Sequence, residues 1–338
     1  MGARFVFLDG MRGIAAFAVM LMHSIAIMHW CSIKIAANPA VDFFFCLSGF
    51  VLSFSYDDRL RTMGPGRFML KRVIRLYPMI FLATLMALAA AAVAGTWNAD
   101  RWMQFGLGLL LVPTFATAAV FPLNPPVWSL FFEMAASLGF DIEARRLPLK
   151  LAAAGVVTGG LVLDVCILLA GHVGTFGFGG TSFWLGLLRV GYSFGLGVLI
   201  HRSGLHLRGP RLPRWILTIV LLVTLALSIE SGISDAIVVV IVMPVLVWLG
   251  GRALSDPLDR FWEWAGRLSY PLYLVHWPVM IASATLLGGS AVAAFVAIVL
   301  AVAVAWLALV LFDEPLRAWL ANRARRRRKG EALARQDL

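Results

Sequence analysis

The sequence predicts an all-α membrane protein: a polytopic transmembrane helix bundle of about 10 spans plus one short helix, with both termini cytoplasmic. Three observations carry this. Hydrophobic residues make up 61% of the 338 positions and charged residues 14%, with a mean hydropathy of +0.86, too apolar for a water-soluble domain. Apolar runs of about 17 to 25 residues, the length that crosses a bilayer, recur along the chain. The basic residues behind the net charge of +11 sit in the loops and in the terminal RARRRRK, a positive-inside pattern rather than a nucleic-acid footprint.

The spans are expected near 13–30, 40–56, 77–95, 103–121, 149–170, 182–200, 214–230, 236–250, 267–287 and 290–312. The first reads as a retained helix, because it carries Arg12 and His23 and lacks a cleavage site after a short core. The loops at 59–75, 145–150 and 202–214, and the tail after Arg317, are rich in Arg and Lys and belong on the cytoplasmic side. Two cytoplasmic termini require an even number of crossings, so the shorter apolar segment 127–142, with Glu133 near its middle, is expected to be re-entrant or tilted. No repeat period of 20–50 residues is visible. Residues 1–322 therefore form one membrane domain, and 323–338 a basic tail expected to be disordered. Cys31, Cys46 and Cys166 are scattered and odd in number, which suits neither a disulfide framework nor a metal site.

Five polar clusters interrupt the apolar background. In FLDGMRGIAAFAVMLMH, His23 lies eleven residues after Arg12, which returns it to the same helical face, and Asp9 stands three residues before Arg12. An ionisable residue at that depth is costly and needs a partner. In VDFFFCLSGFVLS, Asp42, Cys46, Gly49 and Ser53 form a small and polar face. Close helix packing explains this face as well as catalysis does, with Asp42, at the outer end, a candidate substrate contact. In RFMLKRVIRLYP, Arg67, Lys71, Arg72 and Arg75 gather four cations at a cytoplasmic helix end. They suit the phosphates of a nucleotide or coenzyme, or anionic lipid.

In PPVWSLFFEMAAS, Ser129, Glu133 and Ser137 share a face. A carboxylate there must be protonated, wet or paired, with His23 or an arginine as partner. In RLSYPLYLVHWP, Ser269, Tyr273 and His276 make a second polar stripe, and Pro271 and Pro278 bend or open the helix. His276 is a second candidate base, ranked below His23 because no cation or carboxylate is read as preceding it on its own helix. Ser129, Tyr273 and His276 join Asp42 as candidate substrate contacts. The combination suits acyl transfer, in which imidazole takes the proton of a hydroxyl acceptor while arginines hold the phosphates of a thioester donor.

The order LDGMRGIAAFAVMLMH, VDFFFCLSGF, RFMLKRVIRLYP, PPVWSLFFE, LSYPLYLVH resembles the bacterial acyltransferase-3 family of membrane O-acyltransferases, from Leu8 through the final span. The resemblance implies that His23 is the family's essential histidine, with Arg12 the arginine before it. Arg72 and Arg75 would be its acyl-CoA-handling pair and Glu133 the acid of its tryptophan-serine-leucine motif. Many members carry two adjacent acids where this chain has Glu133 and Met134.

The expected activity is transfer of an acyl group, acetyl first, from cytoplasmic acyl-CoA to a carbohydrate hydroxyl in the bacterial inner membrane. His23 acts as base or transient acyl carrier, Arg12 and Asp9 hold the inner end of its stripe, and Glu133 orients or polarises. Coenzyme A is the one cofactor implied and no metal is expected. The absence of a fused hydrolase-like domain suggests a stand-alone transferase. The expected partners are the bilayer, the donor and a glycan such as lipopolysaccharide or exopolysaccharide, with homo-oligomerisation open. The rival reading is an exporter of polysaccharide or lipid-linked substrate that uses the buried His and Glu for proton coupling. A structural scaffold gives no reason for the cost of His23.

Overall fold

The structure is a computed structural model that describes residues 5–60, 62–63, 66–143, 147–227 and 231–334. The described residues form an all-α bundle without a strand; one isolated bridge joins Ala119 and Gly179. Its helices are α1 (Val6–Met28), α2 (Ala40–Leu60), α3 (Arg67–Val93), α4 (Asp100–Leu109), α5 (Val127–Glu143), α6 (Leu149–Ala170) and α7 (Leu185–Arg202). There follow α8 (Arg214–Leu227), α9 (Gly232–Ile237), α10 (Met243–Gly250), α11 (Asp259–Leu287), α12 (Ala291–Leu307) and α13 (Glu314–Ala334). Single π-turns fuse α9 to α10 and α12 to α13.

Among the described residues, seven continuous helices are long and apolar enough to cross a membrane: α1, α2, α3, α6, α9–α10, α11 and the helix that begins with α12. The protein is a multi-pass membrane protein. The expected span at 103–121 does not form. Helix α4 stops at Leu109, Leu111 takes a positive φ of 53°, and the chain turns back to pair Val120 N–H with the Phe178 carbonyl. Pro113 is the local cause, since it lacks an N–H and pushes Val112 out of the helical region. Helix α5 has 17 residues, about 25 Å of helix against a hydrocarbon thickness of about 30 Å. It packs against α2, α3 and α7. At the tail, α13 continues past Arg323 to Ala334. Arg145 and Arg146, in one of the expected basic loops, lie outside the described residues.

Two helix pairs organise the interior. The most extensively packed is α1 with α11, then α2 with α7. Glycines allow both approaches. A Cβ at Gly13 would lie 2.3 Å from the Ala265 carbonyl oxygen, and one at Gly266 2.7 Å from the Asp9 Cβ. At Gly49 the obstacle would be the Phe194 carbonyl at 2.0 Å, and at Gly197 the Cys46 carbonyl at 1.9 Å. Only hydrogen fits, so the backbones touch, as small residues permit between membrane helices. The face of Asp42, Cys46, Gly49 and Ser53 is thus the seam with α7.

Candidate active site

Along α1 and α11 the contacts keep a nearly constant sequence offset, so the helices run parallel and in register. Arg12 Nη2 meets the Gly266 carbonyl 254 residues on, and His23 meets His276 253 residues on. Arg12 and His23 on the α1 stripe therefore both find partners on α11. At the N-terminal end of α1 Arg12 donates from Nε to Ser269 Oγ (2.9 Å) and from Nη2 to the Gly266 carbonyl (3.2 Å), while its Nη2 stands 3.2 Å from Asp9. Arg12 and His23 share a face but do not meet; three turns separate them.

His23 Nδ1 lies 2.9 Å from His276 Nε2, and the rings are nearly parallel at 8°. His276 is fully buried and His23 half-buried. The Nδ1 of His276 lies 3.0 Å from the Leu272 carbonyl, an acceptor only, so it carries the proton and donates. In a neutral ring Nε2 then has the lone pair, which makes it the acceptor for the proton on His23 Nδ1. The chain of bonds leaves the lone pair of His23 on Nε2, an orientation set by the neighbour's hydrogen bond. The Trp277 ring meets His23 edge-on at 5.2 Å. His276 is therefore the direct partner of His23, closer to it than the ranking from sequence implied.

The two prolines leave α11 a continuous helix. Pro278 has no N–H to offer the Leu274 carbonyl, and Asn124 Nδ2 supplies the missing donor at 3.1 Å. The loop before α5 thus braces the turn that carries His276.

A cavity of about 800 Å³ opens between α1, α2, α3, α5 and α11. Its wall follows α11 from Gly266 to Tyr273 and stops one turn short of His276. Tyr273 and Ser129 mark this deep end, with Oη and Oγ 2.9 Å apart. Ser129 Oγ donates to the Pro126 carbonyl at 3.0 Å, so the shared proton comes from Tyr273. The Tyr273 and His276 rings lie 6.1 Å apart.

Of the four cations on α3, Arg72 and Arg75 line the cavity, whereas Arg67 and Lys71 are exposed outside its wall, Lys71 over the ring of Tyr56. Glu133 also lines it, but its partner is Arg72, in a close ion pair supported by Ser48 Oγ at 3.0 Å from Oε1. Of the partners expected for this carboxylate, the arginine is the one found, and His23 is not in contact with it. Arg75 is exposed to the cavity.

Asp42 lies apart from all of this. Its carboxylate is fully buried and takes Arg189 Nη2 at 2.6 Å, Arg189 Nε at 3.0 Å and Ser193 Oγ at 3.1 Å. Arg189 spends its remaining N–H groups on the carbonyls of Asn38, Val173 and Phe176 and lies over the Trp128 ring. This ion pair joins α2 to α7, and it leaves Asp42 no oxygen open to a substrate. Sequence reading missed Arg189, although a lone cation in LGLLRVGYSFGLG was the available signal. A second missed cluster lies on the same seam at the C-terminal ends of α2 and α7. Ser53 Oγ touches both Asp57 (2.7 Å) and His201 (2.8 Å), and Arg202 clamps Asp57 through two bonds of 2.9 Å. In the adjoining loop, burial holds the His206 imidazole below its ordinary pKa.

Among the described residues no group of three or more His, Cys, Asp or Glu stands close enough to hold a metal ion. Residues 5–310 match the family model described as an acyltransferase domain, the acyltransferase-3 family. A curated relative, "Protein 2 in picA locus" of Rhizobium radiobacter, is 32% identical over 183 residues, covering 48% of this chain and 94% of that protein. No solved structure matches. With nearly its whole length covered by that match, and its histidine pair and arginine-lined cavity held within a helical membrane bundle, the chain belongs to the acyltransferase-3 family of membrane acyltransferases.

Proposed function

We propose that this protein transfers an acyl group, acetyl first among candidates, from cytoplasmic acyl-CoA to a hydroxyl of a carbohydrate at the bacterial inner membrane. The observation that carries the reading is the hydrogen-bonded His23–His276 pair one turn beyond an 800 Å³ cavity walled by Arg72 and Arg75. The cavity is large enough for the arm of a coenzyme, and Arg75 offers a guanidinium to its phosphates. Tyr273 and Ser129 would lie beside the thioester.

In the reaction His23 Nε2 takes the proton of the acceptor hydroxyl as its oxygen attacks the thioester carbonyl. The charge formed on His23 is stabilised through its Nδ1–H by His276. Collapse of the tetrahedral intermediate breaks the C–S bond, gives the ester, and releases the CoA thiolate, which ends as the thiol on taking up the proton. Arg72 is neutralised by Glu133, so Glu133 orients the cation rather than acting as a base.

The test is acetyl transfer by the purified protein in nanodiscs. Labelled acetyl-CoA is supplied with a glycan acceptor, and free CoA and labelled glycan are followed together. Loss of both signals in a folded His23→Ala variant supports the proposal. Equal rates in the two proteins, or glycan transport indifferent to acyl-CoA, refute it and return the exporter reading.

A further inference from the structure

The helix that begins with α12 widens into a π-turn over Ala308–Asp313, just where it passes the cavity. Such turns are rare and cluster at functional sites. Its last residue, Asp313, is 1% exposed and belongs to the cavity wall. One carboxylate oxygen, Oδ2, is 2.8 Å from Arg317 Nη2. The other, Oδ1, is buried and has no hydrogen-bond partner. A carboxylate oxygen buried without a donor is costly, and neither the His23–His276 bond nor the Arg72–Glu133 pair accounts for it.

We propose that Asp313 is a donor-binding residue, and that its Oδ1 accepts the amide N–H two carbons from the sulfur in the pantetheine arm of acyl-CoA. The inference rests on the reading of the cavity as the acyl-CoA site. A carboxylate repels phosphate and the thioester carbonyl and attracts an N–H donor. The neighbouring charges already have other roles, since Glu314 is engaged by Arg267 at 2.8 Å and Arg75 faces the cavity as the cation assigned to the phosphates. The level also fits. Tyr270, an electrostatic neighbour of Asp313, lines the cavity with it. Tyr273 lies three residues further along α11, about 4.5 Å deeper, where the thioester would react. An N–H two carbons behind the sulfur reaches back by about one such step.

The experiment pairs a variant with a donor analogue, using the full chain in nanodiscs. Acetyl-CoA is compared with an analogue whose corresponding amide N–H is replaced by an ester oxygen. Asp313→Asn keeps an oxygen for Arg317 and turns an –NH2 toward the ligand. The wild type should show a KM about 10- to 100-fold higher for the analogue, with kcat little changed. Asp313→Asn should show that same rise with acetyl-CoA itself and no longer distinguish the two donors.

A wild type that treats both donors alike overturns the proposal, even if the variant fails to fold. So does a variant that keeps the wild-type KM or still prefers the amide. In either case, turnover of acetyl-CoA by the wild type leaves the acyl-transfer reading standing. A wild type that turns over no acyl-CoA overturns both.

Discussion

Replacing His276 by alanine tests the histidine pair most directly. The bond from His23 Nδ1 to His276 Nε2, at 2.9 Å, joins two neutral rings at rest. When His23 takes the acceptor's proton, the same bond acquires a charged donor. A hydrogen bond to a charged group contributes about 1.5–3 kcal/mol against about 0.5–1.5 kcal/mol for the neutral bond; the differential of about 1–1.5 kcal/mol corresponds to about a 5- to 13-fold loss in kcat. Loss of His23 itself removes the base and should cost about 10²- to 10⁴-fold. The two histidines act as a unit, so the double alanine variant should be no slower than His23→Ala. His276→Gln restores an acceptor oxygen and should recover part of the rate.

The assay is CoA release under saturating donor, with folding checked by gel filtration and thermal melting. Wild-type kcat in a folded His276→Ala protein, or losses that simply multiply in the double variant, would refute the coupled pair.

Other outcomes follow from the same geometry. Arg75→Ala should raise the KM for acyl-CoA about tenfold with kcat nearly unchanged, the effect of one lost charge-assisted contact; an unchanged KM removes Arg75 from the donor site. Arg189→Ala strands the buried Asp42 carboxylate and should cost about 3–5 kcal/mol of stability. It would be read as lost melting temperature and folded yield, whereas an acceptor KM effect without instability would restore Asp42 as a substrate contact. Gly13→Ala places a methyl against the Ala265 carbonyl and should cost about 1–3 kcal/mol by spreading α1 from α11, with activity falling in step. His206 has a folded pKa below 6.5, so the unfolded chain binds its proton first as pH falls. Its contribution to stability is complete above about pH 6.5 and declines below it; His206→Phe should flatten that part of the melting-temperature profile.

Much of the site was legible because each ionisable residue in an apolar run demanded an explanation. His23, Arg12, Glu133 and the α3 arginines stand out by composition alone. Their partners did not, because helical periodicity says which face a residue shares and nothing about which helix covers that face. His23 was aligned with Arg12 on one stripe, yet the hydrogen bond goes to His276, 253 residues away. Glu133 could have met a histidine or an arginine; Arg72 holds it. The expected span at 103–121 failed for a local reason, since Pro113 and the turn at Leu111 outweigh an apolar composition.

By itself, the amino-acid sequence determined the solvent, the helical class, the family and the costly residues, because transfer into lipid depends on composition and run length. The tertiary structure alone decided the pairings. Gly13 and Gly266 allow α1 and α11 to touch in parallel register, and that contact sets the tautomer chain through His276 to His23. Gly49 and Gly197 do the same for α2 and α7, and commit Asp42 to Arg189. A buried charge requires a partner wherever it lies, but which partner it receives depends on the backbone approach that brings two distant helices together.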